Sequence, residues 1–293
     1  MSDETKIERL KMDLAAVRAQ REKIRATRDT LKVKLAGESR LHRLLERSHF
    51  DLWREHVHPR HDTALPPAEL AEHISYKRGL EVDSGVGLLH EGYIAVQQIK
   101  QALAAHVRGP VRQILDFGCG CGRLTRYMDL LGGPGVRRVG CDVDAPAIEW
   151  AKKHLPNSGE FFASRDRPPI NHAQKGEFDL IVALSVFTHL PEDMQDAWLA
   201  ELMSLLRPGG LLLATFHGPY YHRFVPEELR EKFGDYGFIH CDLGKTPDLP
   251  DYYLTTFHTT DYIKERWPRF GELAEIVPMA VQLQDAAILR RPE

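Results

Sequence analysis

The chain predicts an α/β domain built on a mostly parallel sheet and preceded by a long N-terminal helix. Three observations carry that expectation. From about Val111 onward short apolar strands alternate with amphipathic helices, a glycine-rich turn leads from the first strand into a helix, and residues 3–47 repeat as a heptad. At 293 residues there is room for one sizeable α/β domain and an appendage, and 43 % apolar residues supply its core.

Taken in order, Ile7, Leu14 and Leu35 occupy one core position of the heptad. Leu10, Val17, Ile24 and Leu31 occupy the other, with Arg21 and Arg28 as polar interruptions. So narrow a stripe on so long a helix calls for a partner helix, so a homo-oligomer is expected, a dimer by preference. A single amphipathic helix lying on its own domain is the alternative. Lys11, Arg18, Arg25 and Lys32 recur once per heptad beside the seam. They read as a solvated face, with docking to an acidic partner or an anionic surface as the other reading.

His42, His49 and His56 continue the seven-residue spacing, and His56-Val-His58-Pro-Arg-His61-Asp62 has the look of a metal cluster. Pro59 ends any helix there, so the ligands would have to come from irregular chain, and no metal is expected. Cys119 and Cys121 lack a second pair at zinc spacing. Thr63–Pro67 reads as a linker. The chain therefore divides into a coiled-coil segment (1–60), a linker and helical lead-in (61–110) and the main domain (111–293), the last with an insertion at about 218–258.

The strands expected are Val111–Phe117, Arg137–Val143, Glu160–Ala163, Phe178–Leu184 and Leu211–Phe216, then Leu273–Val277 and Val281–Leu289 near the end. Helices are expected at Arg123–Leu131, Pro146–His154, Asp193–Leu206 and Thr260–Trp267, with Pro208-Gly209-Gly210 as the turn before the fifth strand. A net charge of −3 gives whole-molecule attraction to nucleic acid no support. No apolar run approaches the roughly 20 residues of a membrane span, and the charged N-terminus carries no signal core. The four cysteines suit free thiols in a reducing compartment, and a cytoplasmic location is expected.

The chemistry-bearing segment is Ile114-Leu-Asp-Phe-Gly-Cys-Gly-Cys-Gly-Arg123. A buried strand ends in an acid, glycines alternate at 118, 120 and 122, and then comes a helix start with free N–H groups. Asp142 ends the next strand twenty residues after Gly122, where a carboxylate can accept both ribose hydroxyls of an adenosine ligand. Arg123 stands where the dinucleotide pattern has its third glycine. Asp116 would repel a pyrophosphate and welcome an amino group. Spacing and charge thus favour S-adenosylmethionine over a dinucleotide.

ILDFGCGCGRLTR, GCDVD, FDLIVALSVFTHLPE and LLRPGGLLLATFHG, in this order, resemble the successive motifs of the Rossmann-like (class I) S-adenosylmethionine-dependent methyltransferase family, over roughly Leu88 to Arg291. The tail from Tyr253 to Arg290 resembles, more loosely, methyltransferases that act beside sugar- and polysaccharide-modifying enzymes. The resemblance implies a seven-stranded sheet with an antiparallel last strand. It places Asp116 near the methionine ammonium group, Gly118, Gly120 and Gly122 beneath the methionine and ribose, Asp142 on the ribose hydroxyls and Val143 on the adenine. Asp166 is its nearest candidate for the adenine amino group. Leu184 and Ser185 would border the sulfonium, and Gly92 and Tyr93, in the helix before the domain, would close over the cofactor.

Methyl transfer needs the acceptor positioned in line and, for an alcohol, a base to take its proton. Three histidines stand where a base is wanted: His217 after the fifth strand, His258 at the end of the insertion and His189 after the fourth strand. Each is equally open to a structural reading. Tyr220, Tyr221, His222, Tyr236 and Tyr252 make the insertion aromatic, as a lid over sugar rings or planar acceptors would be, or simply as packing onto the sheet would require. The leading expectation is O-methylation of a saccharide or glycosylated metabolite. Methylation of another small natural product at O, N or C is the alternative, and a cofactor-binding coiled-coil scaffold without turnover is the reading outside enzymes. Nucleic-acid methylation is not expected, since Ala183-Leu-Ser-Val186 stands where an Asn-Pro-Pro-Tyr motif would be.

Overall fold

The computed structural model describes residues 51–74, 86–244 and 249–293. The heptad segment, the basic stripe, His42 and His49 lie outside the described residues. The chain divides into two units, 1–57 and 58–293. Of the first, residues 51–56 are helical. Among the described residues no helix is long and apolar enough to cross a membrane, and no three His, Cys, Asp or Glu side chains gather as a metal site.

The second unit opens with α1 (Ala68–Ile74) and α2 (Val86–Leu103), then alternates strand and helix. The strands are β1 (Gln113–Phe117), β2 (Arg137–Asp142), β3 (Glu160–Ala163), β4 (Phe178–Ala183) and β5 (Leu206–Phe216). Between them come α3 (Asp129–Gly132), α4 (Ala145–His154) and α5 (Glu192–Leu205). The insertion holds α6 (Arg230–Tyr236) and the strands β6 (Phe238–Cys241) and β7 (Thr255–His258); α7 (Thr260–Arg266), β8 (Glu272–Val281) and β9 (Gln284–Arg290) close the chain. The main sheet has seven strands in the order β3-β2-β1-β4-β5-β9-β8. The first five run parallel, and β9 is inserted antiparallel between β5 and β8. This is the expected Rossmann-like seven-stranded α/β sheet.

Sequence chemistry explains the elements locally. β4 and β9 are buried at every position, as strands covered on both faces must be. α4 starts immediately after β2 because the Asp144 side chain accepts from Ala147 N at 3.0 Å and Pro146 sits in the first turn. Trp198, Phe178, Phe187, Phe216 and Trp267 fill the core between β4, β5 and α5.

Two expectations are corrected. The helix expected over Arg123–Leu131 is a 3₁₀ turn at Thr125–Tyr127 followed by the short α3. Tyr127 N and Met128 N bond back three residues instead of four, and the Gly122 carbonyl accepts both a long bond from Arg126 N at 3.4 Å and one from the Arg126 side chain at 3.1 Å. Pro208-Gly209-Gly210 is also not a turn ahead of β5, which begins at Leu206. The triplet forms an irregularity inside the strand, where Gly209 N and Gly210 O pair with Arg291.

Candidate active site

The carboxyl ends of β1, β2 and β4 bring the predicted ligand residues together. Gly118, Gly120 and Gly122 have φ of +79°, +51° and +68°, so the loop folds through the left-handed region at alternate positions. A Cβ on Gly118 would also lie 2.3 Å from Val186 Cγ2, so this position excludes every other residue on two grounds. Gly120 N donates to Asp142 Oδ2 at 2.7 Å, and Asp144 N donates to Asp142 Oδ1 at 2.9 Å. The carboxylate is thereby aimed and held, with lone-pair directions left on both oxygens. Burial raises the Asp142 pKa above the usual carboxylate range. Val143 comes next in the chain, half-buried.

Asp116 is 2 % exposed and accepts from the Thr125 hydroxyl at 2.6 Å. Burial pushes its carboxyl up to about 7. A group so placed exerts a strong pull on a cation entering the site.

Two predicted residues reach the loop from outside. Gly92 lets α2 touch it, because a Cβ there would stand 2.3 Å from the Arg123 carbonyl oxygen. Its neighbour Glu91 lies 3.6 Å from the Arg123 guanidinium, and the Tyr93 ring meets Tyr127 edge-on at 6.0 Å. At the end of β4, Leu184 is buried, and Ser185 is held at φ +60°, a strained value for a residue with a side chain. A polar network missed by sequence reading holds it there. Ser185 N donates to Thr215 Oγ1 at 2.8 Å, Thr215 donates to Gln284 Oε1 at 2.6 Å, and Gln284 Nε2 donates back to Ser185 Oγ at 2.8 Å. Thr215 and Gln284 are 30 and 99 residues away from Ser185 in the chain, so no local signal marks them.

The three histidines gather at one strand, β7, of which His258 is the last residue. β7 crosses the ends of β4 and β5: Thr256 N donates to Thr188 O at 2.8 Å and His258 N donates to His217 O at 3.0 Å. The carbonyls of this segment then orient two of the rings. His189 Nδ1 donates to Leu254 O at 2.7 Å and His217 Nδ1 donates to Thr256 O at 3.0 Å. A carbonyl only accepts, so both Nδ1 atoms carry the proton and both Nε2 atoms carry the lone pair. His189 is part-exposed, stacks on Tyr253 at 4.0 Å and 12°, and lies 6.4 Å from the His217 ring. Burial holds its pKa down at about 4.

His217 is 1 % exposed beneath Tyr221 and Phe257, and its Nε2 has no hydrogen-bond partner. His258 is fully buried among Phe216, Phe238, Tyr262 and Trp267. Its Nε2 donates to Gln195 Oε1 at 3.0 Å, since the Gln195 amide is itself fixed by donating to Phe187 O and Leu190 O. Burial lowers both to about 3. Asp166 is exposed and takes a hydrogen bond from the Tyr252 hydroxyl, which brings the insertion to the Asp142 side of the site.

Residues 115–212 match the family model described as a methyltransferase domain. A ubiquinone biosynthesis O-methyltransferase of Aromatoleum aromaticum is 32 % identical over 103 residues, 34 % of this chain and 41 % of the relative. A ribosomal RNA small subunit methyltransferase C of Salmonella arizonae is 31 % identical over 154 residues, 50 % of this chain and 41 % of the relative. The chain thus spans about two fifths of the length of the curated relatives it matches. Among solved structures, a protein of Pyrococcus horikoshii superposes with a TM-score of 0.51 at 14 % identity, over 76 % of this chain and 99 % of that one, a likeness of fold. The donor set present fits S-adenosylmethionine. Two carboxylates and a glycine turn suit a ligand with an ammonium group and vicinal hydroxyls, and Asp116 would repel a pyrophosphate.

Proposed function

We propose that this chain, whose residues 115–212 are a methyltransferase domain, is an S-adenosylmethionine-dependent methyltransferase acting on a hydroxyl of a saccharide or glycosylated metabolite. When bound, the cofactor supplies a methyl carbon made electrophilic by the sulfonium. Asp116 would face its ammonium group, Gly118, Gly120 and Gly122 would lie beneath the methionine and ribose, and Asp142 would accept the ribose hydroxyls. Val143 would pack on the adenine, with Asp166 on its amino group. Leu184 and Ser185 would line the reacting end, and Gly92 and Tyr93 belong to the helix that covers the loop.

The single observation that carries the reaction assignment is the His189 ring. Its Nδ1–H is locked onto Leu254 O, so a neutral Nε2 is presented beside an aromatic face at the sheet edge. That arrangement can take a proton from an acceptor hydroxyl. The stacked Tyr253 supports a sugar or another ring as acceptor. His217 and His258, packed deeper, would support the roof that holds His189. The heptad of residues 3–47 supports pairing with a second copy, which light scattering of the full chain reads directly.

Incubation with methyl-deuterated S-adenosylmethionine and fractionated extract, followed by mass spectrometry, is expected to label a sugar-containing product. Label in a sugar-free metabolite would replace the saccharide reading with the broader small-molecule one. Two binding results are expected alongside. Asp142→Ala should weaken S-adenosylhomocysteine binding by about 1–3 kcal/mol in calorimetry, through loss of charge-assisted hydrogen bonds. Binding should also weaken as pH falls below about 7, because Asp116 then holds a proton that a ligand ammonium disfavours. The limit is about tenfold per pH unit, and Asp116→Asn should abolish the dependence.

A further inference from the structure

The glycine loop is tied to a part of the chain that the ligand assignment does not use. Arg126 is 1 % exposed, and its guanidinium donates only to backbone carbonyls. Nε donates to Gly122 O at 3.1 Å and Nη2 approaches Cys121 O at 3.5 Å, both in the loop. Nη1 donates to Asp62 O at 2.8 Å and to Ala64 O at 3.1 Å, both in the stretch ahead of α1.

That stretch is pinned at its other side as well. The Asp62 carboxylate accepts from Asn157 N at 3.0 Å, Asn157 Nδ2 at 3.2 Å and Ser158 Oγ at 2.7 Å, in the connection from α4 to β3. His61 adds Asp129 Oδ1 at 3.1 Å and a ring contact with Tyr127 at 4.8 Å. Residues 61–64 therefore bridge the loop after β1 and the connection after α4. The Gly120–Asp142 hydrogen bond ties the same loop to the end of β2.

A buried guanidinium must keep its acceptors, because an unsatisfied charge in that environment is far costlier than a neutral orphan. If residues 61–64 leave, Arg126 loses two of its four carbonyls and can recover them only by moving. Its remaining partners are the backbone of Cys121 and Gly122, so that motion is delivered to the ligand loop.

We propose that residues 61–64 form a strap whose seating sets the affinity of the glycine loop for its ligand, with Arg126 as the positioning residue that transmits it. The proposal rests on reading that loop as the S-adenosylmethionine cradle. Arg126 touches neither acceptor nor reacting atoms, so the strap acts on cofactor affinity and leaves turnover at saturation alone.

The test compares full-length Asp62→Ala with the parent chain. Amide hydrogen exchange over residues 118–127 of the ligand-free protein should quicken, and the Kd for S-adenosylhomocysteine should rise about tenfold. At saturating S-adenosylmethionine, kcat should stay within about twofold, and Asp62→Asn, which keeps an acceptor oxygen for Ser158, should recover part of the loss. Arg266→Ala, which breaks the ion pairs from α7 to Glu192 and Asp196 of α5, serves as the control for a general loss of stability and should leave both readouts unchanged.

Unchanged exchange and unchanged Kd in Asp62→Ala would overturn the strap, as would an Arg266→Ala variant that moves both equally. If Asp62→Ala does not fold, Ser158→Ala removes one of the three anchoring bonds and is read the same way. Failure of the parent chain to bind S-adenosylhomocysteine would count against the cofactor reading, while the exchange comparison still decides the strap.

Discussion

Replacing His189 by Asn is expected to lower kcat by about 10²- to 10⁴-fold while the Kd for S-adenosylhomocysteine stays within about threefold, the range that removal of a positioned general base commonly costs. The reason lies in the ring geometry. The Nδ1–H bond to Leu254 O fixes one tautomer and one plane, so the lone pair on Nε2 is presented without a search over orientations. Burial holds the pKa down at about 4, so the ring stays neutral through the physiological range. At saturating S-adenosylmethionine, kcat should accordingly be flat from about pH 8 to pH 5 and fall only as the imidazole gains its proton near 4. His217→Asn serves as the comparison. His217 Nε2 is buried without a hydrogen-bond partner and its ring packs on Tyr221 and Phe257, so its loss should act through packing and stability more than through the proton. A larger kcat loss at His217 than at His189 would transfer the base assignment to His217.

The parts of the fold and site that are legible in the sequence are those set by short sequence separations. The glycine turn, its acid and the acid that ends β2 all lie within Asp116–Asp142, so their spacing alone carries the geometry. β3 likewise needs only its apolar run between breakers, and its expected bounds match the strand. The histidines are legible as candidates but not in their roles. What separates them is backbone in and beside β7: Leu254 O lies 65 residues from His189, and Thr256 O lies 39 from His217. The same holds for Arg126, which reads locally as another residue of an expected helix. Its carbonyl partners at 62 and 64 turn it into a buried clamp, beside the 3₁₀ turn that stands in place of that helix. Gly92 lacks a Cβ that would meet the Arg123 carbonyl, a requirement of helix packing that no local pattern announces.

The cluster of neutral histidines has a consequence for the whole fold, and it gives the second large effect. His189, His217 and His258 have their pKa values held down by burial to about 4, 3 and 3, whereas in the unfolded chain each titrates near 6.5. Between those limits the unfolded chain binds up to three more protons than the folded one, and stability falls as pH falls. Asp116 acts in the opposite sense. Its folded form keeps a proton up to about 7 and its unfolded form only to 3.8, and Asp142 and Asp285 are raised by burial in the same direction. The histidines outnumber this opposing effect, and a net uptake of about one to two protons on unfolding corresponds to roughly 1.4–2.7 kcal/mol lost per pH unit. From pH 6 to pH 4.5 the loss is about 2–4 kcal/mol, a large part of the 5–15 kcal/mol typical of a folded domain. Urea melts at pH 7.5, 6 and 4.5 should therefore show midpoints dropping steeply below pH 6 with little change in m-value. His217→Leu should remove about one proton from the slope, because an apolar side chain of similar bulk cannot titrate. Midpoints that stay level from pH 7 to pH 4.5 would mean that the histidines accept protons within the fold, and the neutral base assigned to His189 would fall with them.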